Sequence, residues 1–319
     1  MRLRFGIGLD LQSSPIYNEL MRIINFEANG KTHWGALSNG RAIDLNGAHE
    51  NRGLDMELAP TALDFIRAGE IAWNAARDTL AWLGDQQLDG VTFPIDQVHL
   101  LAPIPRPGKV IGIGLNYMDH ARESGQPIPA NPIVFAKFSS SVIGPYDPIH
   151  LFADVTQRVD YEAELGVVIG KPALRVSVDD ALNYVFGYTV INDVSARDLQ
   201  LNAEYGRQWV RGKSLDSFCP MGPSVITKDE VPDPQNLSVR SILNGQVLQD
   251  GNTCDMIFSV AKLISIISQG ITLEPGDVIA TGTPKGVGDA RKPPIYLKPG
   301  DVIEIEVGNL GKLVNPVED

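Results

Sequence analysis

The sequence predicts a β-rich α+β protein, with a small N-terminal α+β part followed by a larger, mostly β part. Three observations predict it. Residues 22–45 hold three short apolar runs separated by Asn29-Gly30 and Asn39-Gly40. Asn-Gly suits two-residue hairpins because both central residues need positive φ. From residue 110 onward, short apolar runs closed by Gly or Pro recur, and helical periodicity is confined to brief stretches. Between the two parts, Pro103, Pro105 and Pro107 lead into Gly108-Lys109, which reads as a linker. The expected division is an extension over residues 1–20, an accessory domain over 21–102 and a main domain over 108–319.

The composition narrows the class. At 319 residues the chain has room for a large core, and 43% hydrophobic with 21% charged residues is ordinary for a globular protein. A net charge of −12 leaves no basic footprint for nucleic acid. The longest apolar run, residues 256–267, is broken by Ser259, Lys262 and Ser265 and falls short of the ~20 residues of a membrane span. Cys219 and Cys254 sit in no Cys-x-x-Cys spacing, so two reduced thiols in a cytoplasmic protein are expected. Near the start, Asp10 interrupts the apolar stretch behind Arg2 and Arg4, and Met21 reads as the more natural beginning.

In order, residues 22–28, 32–37 and 41–45 read as a β-meander, followed by helices over 61–68 and 71–83. Their core candidates are Leu63, Phe65, Ile66, Ala72, Ala75, Ala76, Leu80 and Leu83. His33, His49 and His99 have no ligand spacing and are expected to be structural. Residues 110–114 form a strand. Gly112 and Gly114 suggest a dinucleotide loop, but the third glycine and the ribose-binding acid are missing. Residues 117–124 make a short helix stopped by Gly125 and by prolines 127, 129 and 132. His120 and Glu123, three apart, share its face. The strand at 133–138 carries Lys137, either an edge lysine reaching solvent or a charge facing an acidic pocket.

The chain's centre is the stretch from Asp160 to Gly170, Asp-Tyr-Glu-Ala-Glu-Leu-Gly-Val-Val-Ile-Gly. Its second half reads as a buried strand. Glu162 and Glu164 project from one face, roughly 6–7 Å apart along the strand, and repel unless a cation lies between them. The alternatives are a solvated acidic edge or half of an oxygen-lined site for a hard divalent cation. Gly166 shares that face and leaves room for an approach. A helix over 178–185, N-capped by Ser177, then leads to a strand over 186–193. Such a strand–helix–strand unit brings Asp193 beside the two glutamates. Ser195 caps a further helix to about residue 202, in which Arg197 and Asp198 are expected to pair or cap locally. Residues 204–209 form a polar, aromatic wall. Arg211-Gly212-Lys213-Ser214 reads alone as a solvated turn. Asn244-Gly245 marks another hairpin, residues 259–268 an amphipathic helix, and the two Pro-Gly-Asp turns at 275 and 299 launch strands at 278–280 and 302–307.

Four motifs in order carry a resemblance: Asp-Tyr-Glu-Ala-Glu-Leu-Gly from Asp160, Asn-Asp-Val-Ser-Ala-Arg-Asp-Leu-Gln from Asn192, Gly-Lys-Ser from Gly212, and Thr-Gly-Thr-Pro-Lys-Gly-Val-Gly from Thr281. Over residues 107–316 the chain resembles the fumarylacetoacetate hydrolase family, within it the branch that contains fumarylacetoacetase domain-containing protein 2. The resemblance implies a mixed β-sandwich roll, a homodimer, and a Mg²⁺- or Mn²⁺-dependent enzyme acting on a small 2-oxo acid or 1,3-dicarbonyl. It assigns the metal to Glu162, Glu164 and Asp193 and substrate contacts to Gln200, Gly282 and Thr283. His120 and Glu123 become a water-activating dyad on a lid over residues 117–130, and Lys213 the cation that stabilises developing negative charge. The implied reaction is hydrolysis of a C–C bond in an acylpyruvate or related acid. The alternative is oxaloacetate-type decarboxylation or tautomerisation at the same metal. A metal-binding dimer without chemistry is a third reading, disfavoured by the intact dyad, acids and lysine.

Overall fold

The computed structural model describes residues 21–54 and 57–319, so the expected extension over residues 1–20 lies outside the described residues. β1 (Arg22–Ala28), β2 (Lys31–Ser38) and β3 (Arg41–Asp44) form the expected antiparallel meander. Both Asn-Gly turns carry positive φ at both residues. The third run ends one residue early. Asp44 accepts a hydrogen bond from the Gly47 N–H at 3.1 Å and opens a helix, α1 (Leu45–Asn51), that the sequence does not announce. Gly47 and two asparagines are poor helix formers, so burial of Leu45, Ala48 and His49, together with this cap, holds the helix. α2 (Ala62–Ala68) and α3 (Glu70–Leu83) bury Phe65, Ile66, Ala72, Ala76 and Leu83 as expected. Leu63, Ala75 and Leu80 are only partly buried, and Trp73 fills the inner face instead. His33 pairs with Asp44 and His49 with the Thr79 hydroxyl.

After β4 (Thr92–Pro94) and β5 (His99–Leu101) come β6 (Val110–Gly114), α4 (Met118–Glu123) and β7 (Ile133–Lys137). Short strands β8 (Val142–Ile143), β9 (Ile149–His150) and β10 (Val159–Asp160) lead to the central pair, β11 (Ala163–Ile169) and β12 (Val185–Asn192). β13 (Ser195–Ala196), α5 (Arg197–Leu201), α6 (Trp209–Lys213) and β14 (Cys219–Thr227) follow. The chain closes with β15 (Ser238–Leu243), β16 (Gln246–Asn252), α7 (Val260–Ile267), β17 (Val278–Ala280), β18 (Val302–Val307) and β19 (Lys312–Glu318).

Two sheets carry the molecule. The larger has 12 strands in the order β4-β3-β2-β1-β14-β12-β11-β17-β6-β7, with β5 on β1 and β8 on β14. The smaller has five, β16-β15-β18-β19-β9. β11 is buried along its whole length because both of its faces are covered. Leu165, Val167 and Ile169 pack with Ile303, Ile305 and Leu313 of the smaller sheet. Val168 packs with Phe65 and Trp73 of α2 and α3, where Trp73 meets Phe186 edge-on at 4.9 Å. The protein is thus β-rich α+β, a mixed β-sandwich roll with a small N-terminal α+β unit. That unit is joined edge to edge with the rest: β1 hydrogen-bonds β14, with Arg22 opposite Ile226.

Two local expectations change. Residues 178–185 form only a 3₁₀ turn at Ala181–Tyr184, which seats Ala181 and Tyr184 on the core while Val178 and Leu182 stay exposed. β11 and β12 accordingly pair antiparallel, not through a helical crossover. β14 was hidden by Pro220 and Pro223; its pairing with β12 slips between Tyr188 and Val190, opposite Pro223, where a ladder N–H is missing.

Both cysteines are free. Burial pushes the Cys219 thiol in β14 up to about 12, whereas Cys254 is exposed. A thiol reagent titrated onto native protein should therefore label Cys254 alone, with Cys219 reacting only after denaturation. Two fast labels on the native protein would contradict this packing.

Candidate active site

The antiparallel register of β11 and β12 builds the site. Ala163, flanked by Glu162 and Glu164, lies opposite Asn192, and Asp193 follows next. The Asp193 N–H donates to the Glu162 carbonyl at 3.0 Å, and Asn192 Oδ1 accepts from the Glu162 N–H at 3.1 Å. β10 and β13 pair beside this junction and fix the chain on either side. Glu162, Glu164 and Asp193 are all buried, and each offers an oxygen within 4.8 Å of the others. Gly166 does not open a path to them. A Cβ there would lie 2.7 Å from Ile191 Cδ1 and 2.8 Å from Thr189 Cγ2, so the space belongs to β12.

Cations enter from three elements. Lys213, at the end of α6, places Nζ 2.6 Å from Glu162 Oε2 and 2.7 Å from Asp193 Oδ2. Lys137, at the end of β7, donates to Asp193 Oδ1 at 2.7 Å, so it faces the acids. Asp198 and Arg197 on α5 were expected to pair or cap locally; Asp198 does accept locally from the Leu199 N–H at 3.0 Å, but Arg197 does not pair with it. Instead its Nε bonds Asp160 Oδ2 at 2.8 Å and its Nη2 lies 2.7 Å from Glu162 Oε1, while Asp198 accepts from the Thr156 hydroxyl and the Gln157 N–H. Arg197 Nη1 also donates to Gln200 Oε1 at 2.9 Å, which sets the orientation of the Gln200 amide.

The carboxylates are unequal. Burial disfavours charge on Glu162, but Lys213 and then Arg197 overcome it and hold the group well below the usual range. Glu164 is held well above that range, by burial first and then by the charges of Asp193 and Glu162. Lys213 and the Gly282 N–H, 2.9 Å from Glu164 Oε2, offset only part of this. Burial opposes charge on Lys213, yet Asp193 and Glu162 keep its ammonium above the ordinary lysine value. Glu164 makes no ion pair among the described residues, so it is the one of the three carboxylates left short of positive charge. Hard oxygen donors at this spacing fit a hard divalent cation such as Mg²⁺ or Mn²⁺.

His120 and Glu123 meet on α4 as their spacing predicts, with His120 Nδ1 2.8 Å from Glu123 Oε1. The Gly286 N–H donates to both Glu123 oxygens, at 2.9 and 3.0 Å, and so ties α4 to the loop after β17. His120 is buried, lies near enough to lower the Glu162 pKa, and has no protein partner at Nε2 among the described residues. Gly282 and Thr283 lie at the same site, but the Gly282 N–H and the Thr283 hydroxyl are used within the protein. Gly282 N–H serves Glu164, and the Thr283 hydroxyl donates to the Ala163 carbonyl and accepts from Gln249 Nε2 at 2.7 Å. Two residues of this shell had no signal in the sequence. Gln249 crosses from β16, and Asn116 pins the turn by donating to the Thr281 carbonyl at 2.7 Å and accepting from the Phe258 N–H. Trp209, in the expected aromatic wall, packs on Phe135 at 5.6 Å.

Comparison with known proteins gives two family matches: "Fumarylacetoacetate (FAA) hydrolase C-terminal" over residues 109–318 and "Rv2993c-like, N-terminal" over residues 21–103. A Rattus norvegicus protein named oxaloacetate tautomerase Fahd2a, mitochondrial, is 44% identical over 301 residues, covering 93% of this chain and 91% of its own. The structure of a fumarylacetoacetate hydrolase from psychrophilic Exiguobacterium antarcticum is 39% identical with a TM-score of 0.78, covering 93% of this chain and 99% of that one. The structure of 2-hydroxyhepta-2,4-diene-1,7-dioate isomerase from Mycobacterium marinum is 34% identical with a TM-score of 0.69, covering 93% and 98%. Among the described residues no helix is long and apolar enough to cross a membrane.

Proposed function

Because the chain belongs to the fumarylacetoacetate hydrolase family, we propose that it is a divalent-metal-dependent tautomerase of 2-oxo dicarboxylic acids of the oxaloacetate type. The observation in this chain that carries the reading is Lys213. Its buried ammonium bridges Glu162 and Asp193 beside Glu164, so negative charge developing on the oxygen of a bound 2-oxo acid meets a fixed cation. Tautomerisation, decarboxylation and C–C hydrolysis all pass through such an enolate. The choice among them rests on the relatives, since the rat protein is named a tautomerase and the Mycobacterium marinum protein an isomerase. Hydrolysis of an acylpyruvate, which the motifs alone imply, has less support.

Glu162, Glu164 and Asp193 would hold the ion, which when bound supplies positive charge that favours the enolate over the neutral ketone. His120 Nε2 moves the proton at the carbon next to the 2-oxo group, and Glu123 holds the ring by Nδ1. In the enol direction one C–H bond breaks and one O–H bond forms; the keto direction reverses both. The Gln200 amide nitrogen, left unused by Arg197, binds substrate, and Gly282 and Thr283 act through Glu164 and the start of β11. Boundaries at 21–102 and 108–319 and a homodimer remain part of this proposal. The expected cytoplasmic location gains nothing from the rat relative, whose name places it in mitochondria.

The test is ketonisation of enol-oxaloacetate with Mg²⁺ or with a chelator, run beside acylpyruvate cleavage and oxaloacetate decarboxylation. Fast, metal-dependent ketonisation without cleavage is expected; cleavage without ketonisation would restore the hydrolase. Glu164→Ala should bind Mg²⁺ at least about 100-fold more weakly by calorimetry, with native circular dichroism, because losing even a partner behind a ligand costs about 10–100-fold and here a ligand itself is gone. Unchanged affinity would move the metal site elsewhere.

A further inference from the structure

Strand alternation puts Phe135 and Lys137 of β7 on its buried face, with Val134 and Ala136 outward. Both inner residues reach Lys213. Its Nζ lies over the Phe135 ring, 5.1 Å from the centroid, and its backbone carbonyl accepts a hydrogen bond from Lys137 Nζ. Gly112 on β6 makes room for that ring, since a Cβ there would fall 2.2 Å from Phe135 Cζ. Lys137 Nζ also bonds Asp193 Oδ1 at 2.7 Å and the Val194 carbonyl at 3.3 Å, and its side chain and that of Asp193 are fully buried. A buried ammonium with three acceptors has used its three protons.

We propose that Lys137 is a positioning residue of the site: it holds Asp193 by Oδ1, leaving only Oδ2 toward Lys213 and the metal, and anchors the main chain from which Lys213 extends. Partners behind a metal ligand fix its orientation, and losing one typically costs about 10–100-fold in affinity. The inference rests on the metal-dependent reading above and assigns Lys137 no contact with substrate.

The test is calorimetry with Mg²⁺ alone, beside thermal denaturation of the metal-free protein. Lys137→Met should bind Mg²⁺ about 10–100-fold more weakly than wild type. A lower melting temperature with unchanged Mg²⁺ affinity would mean a purely structural lysine and overturn the proposal. Should Lys137→Met not fold, Lys137→Gln keeps an N–H donor in the slot; it should weaken Mg²⁺ binding less, and wild-type affinity there would equally overturn the proposal. Wild-type protein that binds no Mg²⁺ would instead sink the metal-dependent reading itself, and the Lys137 assignment with it.

Discussion

Lys213→Met should slow enol-oxaloacetate ketonisation by about 10³-fold at saturating Mg²⁺, the scale set by removing one preorganised charge-stabilising donor. Methionine keeps the volume and removes only the cation between Glu162 and Asp193. Breaking such a buried pair leaves uncompensated charge, at a cost of about 3–5 kcal/mol. The metal-free variant should therefore melt lower than wild type, and Mg²⁺ should recover more of that loss than it adds to wild type, because it supplies the missing charge. Stopped-flow absorbance and thermal melts with and without Mg²⁺ read both effects. Ketonisation within threefold of wild type would remove Lys213 from the mechanism.

His120→Ala should cost about 10²–10⁴-fold in the same assay, the usual loss for a positioned acid–base group. Glu123→Gln should cost less, because the imidazole remains and only its orientation and basicity suffer. Its carboxylate also receives the Gly286 N–H twice, so part of that loss should appear as a raised KM as α4 loosens from the loop. If His120→Ala ketonises normally, proton movement at carbon belongs to another group. A variant that loses acylpyruvate cleavage but keeps ketonisation would identify His120 as the activator of water instead.

The meander, α4, α7 and the Pro-Gly-Asp strands were legible because each rests on local chemistry: Asn-Gly and Pro-Gly turns, and the helical spacing of Val260, Leu263, Ile264 and Ile267. His120 and Glu123 were legible for the same reason, being one helical turn apart. What failed was non-local. Arg197 gives no hint in its neighbourhood that it reaches back to Asp160 and Glu162, and for Lys137 the sequence left two readings open, of which the structure bears out the charge facing the acids. Gln249 and Asn116 are single polar residues whose partners lie on other elements. The helix expected at 178–185 rested on its Ser177 cap; the cap is there, with the Ser177 hydroxyl accepting from the Asp180 N–H, but the chain makes only a 3₁₀ turn before entering β12.

The bond between β1 and β14 also constrains how the protein is made. β1 finds β2 at once and β5 once Leu101 is made, but the Arg22–Ile23 end of its second edge must wait until Ile226 has been synthesised. Until then the amides and carbonyls at that end stand open, an invitation to pair with a neighbouring nascent chain. Closing it spans most of the chain, a contact of high sequence separation and so of slow formation. The same closure brings α2 and α3 onto Phe186 and Val168, so the sheet that carries the carboxylates is covered on that face only late in synthesis. The small α+β unit is thus translated well before the strand it joins and is among the last parts to be finished.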